Sequence, residues 1–174
     1  MIQSLVILGL LKKKPSSGYD IRKFMDKDLG KFSNPQASSI YYSLNKMQKK
    51  GLITAKIQSR SEHLKKCVYS ITAKGEKEFS KLCRNVLLSQ KRPFIELDIA
   101  LYFLPFLDKK EIMPLLRLRL RFLERVKKWL KAKDEELKDA PRNLTLLISH
   151  QYQLAATEKE FLKSMIKSVK QGEI

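Results

Sequence analysis

The stretch that decides the fold is SNPQASSIYYSLNKMQKKG, residues 33–51. Ile40, Leu44 and Met47 recur at intervals of four and three residues, which places them on one side of a helix. Gly51 follows the last polar residues and is typical of the position just beyond a helix end. These features predict an amphipathic helix that buries one apolar stripe and stops at Gly51.

The same helix has a start signal and a polar face. Ser33 or Asn34 can cap its free N–H groups, and Pro35 suits its first position. The polar face carries Ser38, Tyr41, Tyr42, Asn45, Lys46, Lys49 and Lys50. The candidate DNA contacts are Ser38, Ser39, Tyr41 and Tyr42, for phosphates or base edges, and Lys46 and Lys49, for phosphates. The alternative is an ordinary solvated helix face.

Two helices are predicted before this one. Residues 2–13 are apolar on most sides, so their helix is expected to be buried on several faces. Ser16 or Ser17 can cap a second helix that ends near Gly30. Tyr19, near the start of that second helix, either donates its hydroxyl group to a phosphate or packs at the corner.

A β-hairpin and a fourth helix follow. Residues 52–57 and 67–72 are rich in β-branched residues and roughly alternate, which predicts two strands joined by a polar tip at 59–65. The candidate contacts of this hairpin to the DNA backbone are Arg60, Lys65 and Lys66. Their alternative role is to keep the hairpin soluble and prevent edge pairing. Three helices, two strands and a helix are the order of a winged helix-turn-helix, whose recognition helix enters the major groove.

The rest of the chain predicts a helical hairpin. Residues 108–139 and 143–170 each repeat apolar residues every three or four positions. Asp108 and Glu111 have the spacing of a capping box, and Pro114 predicts a kink or a late helix start. Aromatic side chains here either line a pocket for a small ligand or form plain core. The candidate pocket residues are Phe122, Trp129 and His150.

The net charge is the strongest compositional signal. The chain carries 36 Lys and Arg against 18 Asp and Glu, a net charge of +18. Residues 1–85 hold 18 basic and 6 acidic residues, a net charge of +12, so the excess lies mainly in the first half. Such a balance favours a polyanionic partner, which could be DNA, RNA or an anionic membrane surface. The alternative is a solvated lysine-rich surface without a partner.

The sequence argues against a membrane protein, a metal site and an enzyme. No apolar run reaches the ~18 residues of a membrane span, so a cytoplasmic protein is expected. The candidate zinc ligands Cys67, Cys83, His63 and His150 have the spacing of no zinc finger. The sequence also contains no phosphate-binding glycine loop and no nucleophile motif. We therefore expect no metal, no cofactor and no catalysis.

Three motifs occur in an order that matches a known family. They are LVILGLL (5–11) followed by SGYDI (17–21), SIYYSL (39–44) leading to GLI (51–53), and VYSITAKG (68–75). Through them, about residues 1–82 resemble the PadR-type transcriptional regulators. The chain departs from that family at Tyr42, where proline is usual, and in the wing, which reads QSRSEHLKK (58–66) where glycines are frequent.

The resemblance implies a homodimer built mainly through the C-terminal helices, with the first helix tying the two halves together. The residues expected at the dimer seam are Leu123, Val126, Leu130, Leu154, Leu162 and Ile166. Family members usually repress, and many respond to small aromatic compounds. The predicted fold is mainly α with a small β-hairpin (α+β). It comprises a winged helix DNA-binding domain at 1–88 and a helical dimerisation domain, which would also hold any effector, at 89–174.

The sequence therefore predicts a cytoplasmic, dimeric, sequence-specific DNA-binding repressor that a small effector could release. Its recognition helices are expected in successive major grooves of a pseudo-palindromic operator, with half-site centres about one helical turn apart, ~10 bp. The alternative is a winged-helix interaction module that binds a protein partner or an anionic membrane surface. An RNA-binding winged helix is a second alternative, which the lack of arginine-rich loops disfavours.

Overall fold

The computed structural model describes residues 2–26, 40–59, 65–90 and 96–173. Contacts divide the chain into two compact units, Met1–Arg92 and Pro93–Ile174. The fold is mainly helical with one small antiparallel sheet, so the predicted fold class is confirmed. Within the described residues, no helix is long and apolar enough to cross a membrane.

The N-terminal unit contains the predicted helices and hairpin. Its elements are α1 (Ile2–Lys13), β1 (Ser16–Ser17), α2 (Gly18–Phe24), α3 (Ile40–Lys49), β2 (Ile53–Ser59), β3 (Lys65–Ile71) and α4 (Ala73–Leu87). The sequence missed β1, because two residues are too short to show alternation. Since β1 pairs with β3, the hairpin belongs to a three-stranded sheet in the order β1-β3-β2. The predicted cap of α3 at 33–35 and the predicted helix end at Gly30 lie outside the described residues.

One apolar core joins the helices of this unit to its sheet. The buried side chains are Ile7, Leu8, Leu11, Ile21, Met25, Ile40, Leu44, Met47, Ile53, Tyr69 and Leu82. The stripe predicted on α3 is confirmed, since Ile40, Leu44 and Met47 are at most 4% exposed. Full burial of such a side chain contributes ~1.5–3 kcal/mol. This stripe anchors α3 and leaves its opposite face in solvent.

Ser17 fixes the start of α2, which decides between the two caps that the sequence left open. Asp20 N donates to Ser17 Oγ at 3.2 Å, and Ser17 N donates to Asp20 Oδ2 at 3.4 Å. These two bonds form a reciprocal capping box. Ser17 Oγ also donates to Asp20 Oδ2 at 2.7 Å. The SGYDI motif is therefore the local signal that starts α2 at Gly18.

Hydrogen bonds tie the end of α3 to the start of α4. Gly51 has a φ of 69°, a left-handed conformation that glycine adopts readily, and the chain turns there. Thr72 caps α4 by accepting a hydrogen bond from Gly75 N at 3.1 Å, and its hydroxyl donates to Gly51 O at 2.8 Å. Lys74 Nζ donates to Lys50 O at 2.8 Å. The position of α3 beside the sheet is thus set by hydrogen bonds as well as by its apolar stripe.

The C-terminal unit is built around the predicted helical hairpin. Its elements are α5 (Glu96–Tyr102), a 3-10 turn (Leu104–Phe106), α6 (Lys109–Glu136) and α7 (Arg142–Gln171). The buried residues of α6 and α7, which pack against each other, are Ile112, Leu116, Leu123, Leu130, Ile148, Ala155, Leu162, Met165 and Val169. Arg119 pairs with Glu158, and Lys159 pairs with Glu124, which adds ionic links across the hairpin.

The start of α6 differs from the prediction. The helix begins at Lys109, before Pro114, so the late start that proline suggested is wrong. Asp108 caps it by accepting a hydrogen bond from Lys110 N at 2.9 Å, one residue earlier than a capping box with Glu111 requires. Ile112 is buried just before the proline, so packing holds the first turns in place despite the hydrogen bond that proline removes.

Candidate nucleic-acid interface

The exposed face of α3 brings together four residues that the sequence predicted as DNA contacts. Tyr41 is 53% exposed and Tyr42 is 67% exposed. Lys46 and Lys49 are exposed on the same helix. All four lie away from the buried stripe, and their side chains are exposed to solvent. Their roles in DNA binding stay predictions.

Tyr41 packs on the start of α2. A Cβ added to Gly18 would lie 2.8 Å from a ring atom of Tyr41 and 3.3 Å from Leu44 Cδ1, so only glycine leaves room for this contact. Tyr19, the next residue, is 66% exposed at the same corner. The close approach of α2 and α3 places the start of α2 against Tyr41. The high exposure of Tyr19 is compatible with a phosphate contact, and that role stays a prediction.

Two amide side chains lie on the same face and were not among the predicted contacts. Asn45 and Gln48 are exposed on α3, four and seven residues after Tyr41. Such spacing places residues on one helix face, which is the signal that could have found them. Asn and Gln form paired hydrogen bonds with adenine in the major groove, so these two are candidate base-reading residues.

A groove of about 470 Å³ in the C-terminal unit and one of about 320 Å³ in the N-terminal unit are open to solvent. The second lies between α1, α3 and α4, and Lys46, Lys50 and Glu78 are among its lining residues. Ser43 Oγ donates to Gln3 Oε1 at 3.0 Å and links α3 to α1 there. Lys46 thus lies at the edge of the polar face, whereas Lys49 does not line the groove.

The predicted wing is a regular hairpin. Lys65 and Lys66 lie at the start of β3, opposite Ser59 and Gln58 in the antiparallel register. Lys56 is exposed on β2 and adds a positive charge that was not among the predicted contacts. The predicted contacts Ser38, Ser39 and Arg60 lie outside the described residues. The backbone-binding role of the wing stays a prediction.

The charge of this region is predominantly positive. Residues 40–71 contain six lysines and one arginine against a single glutamate, a net charge of +6. They include α3 and the β2–β3 hairpin, which are adjacent in the fold. A surface of this kind attracts a polyanion and lets it bind with release of counterions.

Raising the pH from 10 to 12 is expected to destabilise the N-terminal unit through Tyr69. Burial, followed by a hydrogen bond with Cys67, raises the pKa of this hydroxyl from 10.0 to about 12. The folded state therefore favours the neutral phenol. Its stabilisation is fully present below the unfolded pKa and is lost as the pH rises through the folded pKa. A shift of this size corresponds to up to about 3 kcal/mol.

Urea unfolding of the wild type and of Tyr69→Phe at several pH values from about 9, below the unfolded pKa, to about 12, the folded pKa, checks this assignment. Lysine titration contributes to both proteins, so the difference between them isolates Tyr69. The phenylalanine variant should lose less stability over this range. Parallel curves for the two proteins would contradict the assignment.

None of the three predicted effector residues lines either of the two grooves described above. Phe122 is 53% exposed on α6, Trp129 is half-buried and His150 is exposed on α7. The larger groove is lined instead by Leu118, Arg121, Glu124, Arg125 and Lys128. The effector role of the three residues stays a prediction.

The predicted dimer residues divide into two groups. Leu123, Leu130 and Leu162 are at most 5% exposed, since they form the core between α6 and α7 of a single chain. They serve the hairpin and present no surface to a partner. Leu154 is 53% exposed, and Val126 and Ile166 are partly buried. The dimer role of these three stays a prediction.

Neither cysteine is in a disulfide. Cys67 is exposed on β3, and Cys83 is partly buried on α4. Within the described ranges, no group of His, Cys, Asp and Glu side chains is arranged to hold a metal ion.

The N-terminal unit is similar in sequence to known transcriptional regulators. A sequence profile of the transcriptional regulator PadR-like family matches residues 7–81. The N-terminal unit is a PadR-like domain. The negative transcriptional regulator PadR of Bacillus subtilis (strain 168) is 39% identical over 72 residues. That match covers 41% of this chain and 40% of the relative, so the chain aligns with about two fifths of the relative's length.

Solved structures resemble the chain over nearly all of its length. Bacillus subtilis PadR in complex with operator DNA has a TM-score of 0.80 at 24% identity, covering 97% of this chain and 99% of that chain. The same relative in complex with p-coumaric acid has a TM-score of 0.72 at 23% identity, and the match covers 98% of this chain and 99% of that chain. The Vibrio cholerae virulence activator AphA has a TM-score of 0.74 at 17% identity, and the match covers 97% of this chain and 98% of that chain. These likenesses show that the fold is that of the PadR winged-helix structures.

Proposed function

We propose that the chain is a sequence-specific DNA-binding transcriptional regulator that acts in the cytoplasm as a dimeric repressor. The observation that carries this proposal is the exposed face of α3 beside the hairpin, in a region, residues 40–71, that has seven basic residues against one acidic residue. The PadR-like domain supports it, because Bacillus subtilis PadR has been solved with operator DNA.

The polar face of α3 supplies the residues for direct contact. α3 has ten residues and is therefore about 15 Å long, which suits a major groove about 12 Å wide. Asn45 and Gln48 are assigned to base edges. The phosphate contacts are assigned to Tyr19, Ser38, Ser39, Tyr41, Tyr42, Lys46, Lys49, Arg60, Lys65 and Lys66.

The proposal includes a dimer that reads a pseudo-palindromic operator. A two-fold axis between two copies presents two α3 helices to the same side of the duplex, with half-site centres about one helical turn apart, ~10 bp. The C-terminal unit supplies the dimer contact. Repression is assigned because Bacillus subtilis PadR, a negative regulator, is 24% identical over nearly the whole chain, whereas the activator AphA is 17% identical over the same share.

The proposal also includes release from DNA by a small aromatic compound. Its support is the p-coumaric acid complex of Bacillus subtilis PadR, together with exposed aromatic side chains in the C-terminal unit of this chain. A small aromatic acid is therefore the class to add first to the protein–DNA complex.

Competition between an operator and bulk DNA tests the proposal. Genomic fragments that the full chain retains are sequenced, their consensus is synthesised, and binding is measured against bulk competitor DNA. The consensus should be preferred by ~10³ or more. The double variant Asn45→Ala/Gln48→Ala should lose this preference and keep its affinity for bulk DNA. Equal affinity of the wild type for both DNAs would overturn the proposal and favour the interaction module that binds a protein or membrane surface.

A further inference from the structure

The groove of about 320 Å³ in the N-terminal unit is formed by one face of each of three helices. Its lining residues include pairs four positions apart on α1, α3 and α4: Ser4 and Leu8, Ser43 and Met47, Glu78 and Leu82. Because Ser4 and Ser43 have short side chains, they leave space between the helices that a larger residue would fill. We call this space the three-helix groove. Ligand sites have volumes of ~300–1,000 Å³, so the three-helix groove suits a small molecule.

The buried part of the lining is apolar. Leu8, Met47 and Leu82 line the three-helix groove and are at most 8% exposed. Ser43 Oγ donates to Gln3 Oε1 at 3.0 Å, which ties α3 to α1 within the lining. An apolar ligand group that covers these side chains leaves water, which favours its binding.

Charges of both signs line the same groove. Lys46 and Lys50 are exposed on α3, four residues apart, and Glu78 is half-buried on α4. Among the residues that the structure describes, no ion pair involves any of these three side chains. Like charges four residues apart on a helix repel each other, and a partly buried carboxylate without a counter-charge is unfavourable. A ligand that carries both charges relieves both costs.

We propose that the three-helix groove binds a free α-amino acid with a large apolar side chain, such as leucine, methionine or phenylalanine. The ligand carboxylate pairs with Lys46 and Lys50, its ammonium group pairs with Glu78, and its side chain covers the buried leucines and methionine of the lining. Hydrogen bonds between charged groups are stronger than those between neutral groups, so both ends of the ligand contribute to recognition. A ligand with a single charge leaves part of the lining without a partner.

This site goes beyond the proposed function, because binding of the amino acid does not require DNA. The small aromatic acid proposed as an effector has no ammonium group, so it has no partner for Glu78. Where the proposed function also holds, the two ligands are coupled through Lys46, which is assigned to a DNA phosphate. The amino acid and the operator then compete for this lysine, and each weakens the binding of the other by the same factor.

Nuclear magnetic resonance of the full chain with labelled methionine methyl groups tests the site. The shift of the Met47 methyl signal during titration with L-leucine gives the affinity. Two analogues separate the charges, since isocaproate lacks the ammonium group of leucine and isoamylamine lacks its carboxylate. Each analogue should bind about 10-fold more weakly than L-leucine, because one charge-assisted contact is lost. Equal binding of L-leucine and isocaproate would contradict the role of Glu78.

Glu78→Gln should weaken the binding of L-leucine about 10-fold and leave the weaker binding of isocaproate unchanged. Glu76→Gln is the matched control, because it removes the same charge from the same helix at a residue that pairs with Lys12 and does not line the groove. This control should bind L-leucine as the wild type does. Ser4→Leu fills the groove and should abolish the binding of every ligand.

Circular dichroism checks that the variants are folded. The proposal is overturned if L-leucine, L-methionine and L-phenylalanine at roughly 10 mM leave the Met47 signal unmoved, since this concentration is above the Kd of even a weak complex. Binding of L-leucine that folded Glu78→Gln and Ser4→Leu leave unchanged would overturn it as well.

The outcome is separable from that of the proposed function. A chain that prefers its operator but binds none of these amino acids loses only the three-helix groove site. A chain that binds L-leucine and prefers no DNA keeps the site and loses the regulatory function. Where both hold, saturating L-leucine should weaken operator binding about 10-fold in the wild type and leave Ser4→Leu unaffected. Equal operator affinity of the wild type with and without L-leucine would contradict the competition for Lys46.

Discussion

Raising the salt concentration from about 50 to about 200 mM is expected to weaken operator binding by ~10³- to 10⁵-fold. Each phosphate that a lysine or arginine neutralises releases condensed counterions, so the logarithm of the affinity falls linearly with the logarithm of the salt concentration. Roughly six to ten phosphate contacts give a loss of this size. Residues 40–71 alone hold seven basic residues, and a dimer doubles that number.

Single lysines on α3 should each change this slope in a measurable way. Lys46→Ala and Lys49→Ala are each expected to lower the slope by roughly one unit per half-site, about two units for the dimer, if each lysine contacts one phosphate. Lys49 is the stronger candidate, because Lys46 also lines the groove beside Glu78. Fluorescence anisotropy with a labelled operator at five or more salt concentrations measures both.

Lys167→Ala is the matched control, because it removes one exposed lysine from α7 instead of α3. Its slope should equal that of the wild type. An affinity that does not change with salt would contradict the nucleic-acid interface as a whole. An unchanged slope in one α3 variant would show that this lysine does not contact a phosphate and is only an exposed surface residue.

The helices and the hairpin of the N-terminal unit could be predicted because each has a local cause, whereas β1 could not. Ile40, Leu44 and Met47 face one environment, so their spacing gave both the helix and its buried side. The end of that helix at Gly51 followed from the left-handed conformation that glycine tolerates. The choice of Ser17 over Ser16 could not be made from the sequence, since both hydroxyl groups can cap and only the backbone conformation decides.

The C-terminal unit shows where a pattern is insufficient. An apolar repeat indicates that one face of a helix is covered. It does not indicate whether another helix of the same chain or a second copy covers that face. Leu123, Leu130 and Leu162 were assigned to a dimer for this reason, and α7 and α6 cover them within one chain. α5 is the opposite case, because it is rich in apolar residues and none of them is buried in the single chain.

The candidate site was predicted in outline for a related reason. Charge and helical periodicity gave the face of α3, which depends on that helix alone. The packing of Tyr41 could not be predicted in this way, since it depends on the contact with Gly18 in another helix. Asn45 and Gln48 have no charge, so the charge pattern does not single them out, and only their helical spacing from Tyr41 could have done so.

Gly75→Ala is expected to lower the free energy of unfolding of the N-terminal unit by about 3 kcal/mol or more. A Cβ at this position would lie 2.1 Å from Leu52 O and 2.8 Å from Ile71 Cγ1. The first is a backbone atom, which also accepts a hydrogen bond from Thr72 N at 3.1 Å. Relief of the clash must therefore move the turn after α3 or the start of α4, and the core packed between them.

Gly9→Ala is the matched control for Gly75→Ala, because both change a helical glycine of the same unit to alanine. At Gly9 the nearest atom to an added Cβ is a ring carbon of Phe79 at 3.1 Å, which belongs to a side chain that can shift. The gain in helix propensity, about 1 kcal/mol, offsets that adjustment. Urea unfolding followed by circular dichroism should show a change within about 1 kcal/mol for Gly9→Ala.

The difference between the two variants is the test of how α3 is held. If the structure accommodates a methyl group at position 75 without moving the backbone, both alanine variants will unfold at similar urea concentrations. If the Leu52 carbonyl is fixed by its bonds to Thr72, Gly75→Ala alone will be destabilised. It will then also bind the operator less tightly, because the bonds that hold Leu52 and Thr72 position α3 beside the wing.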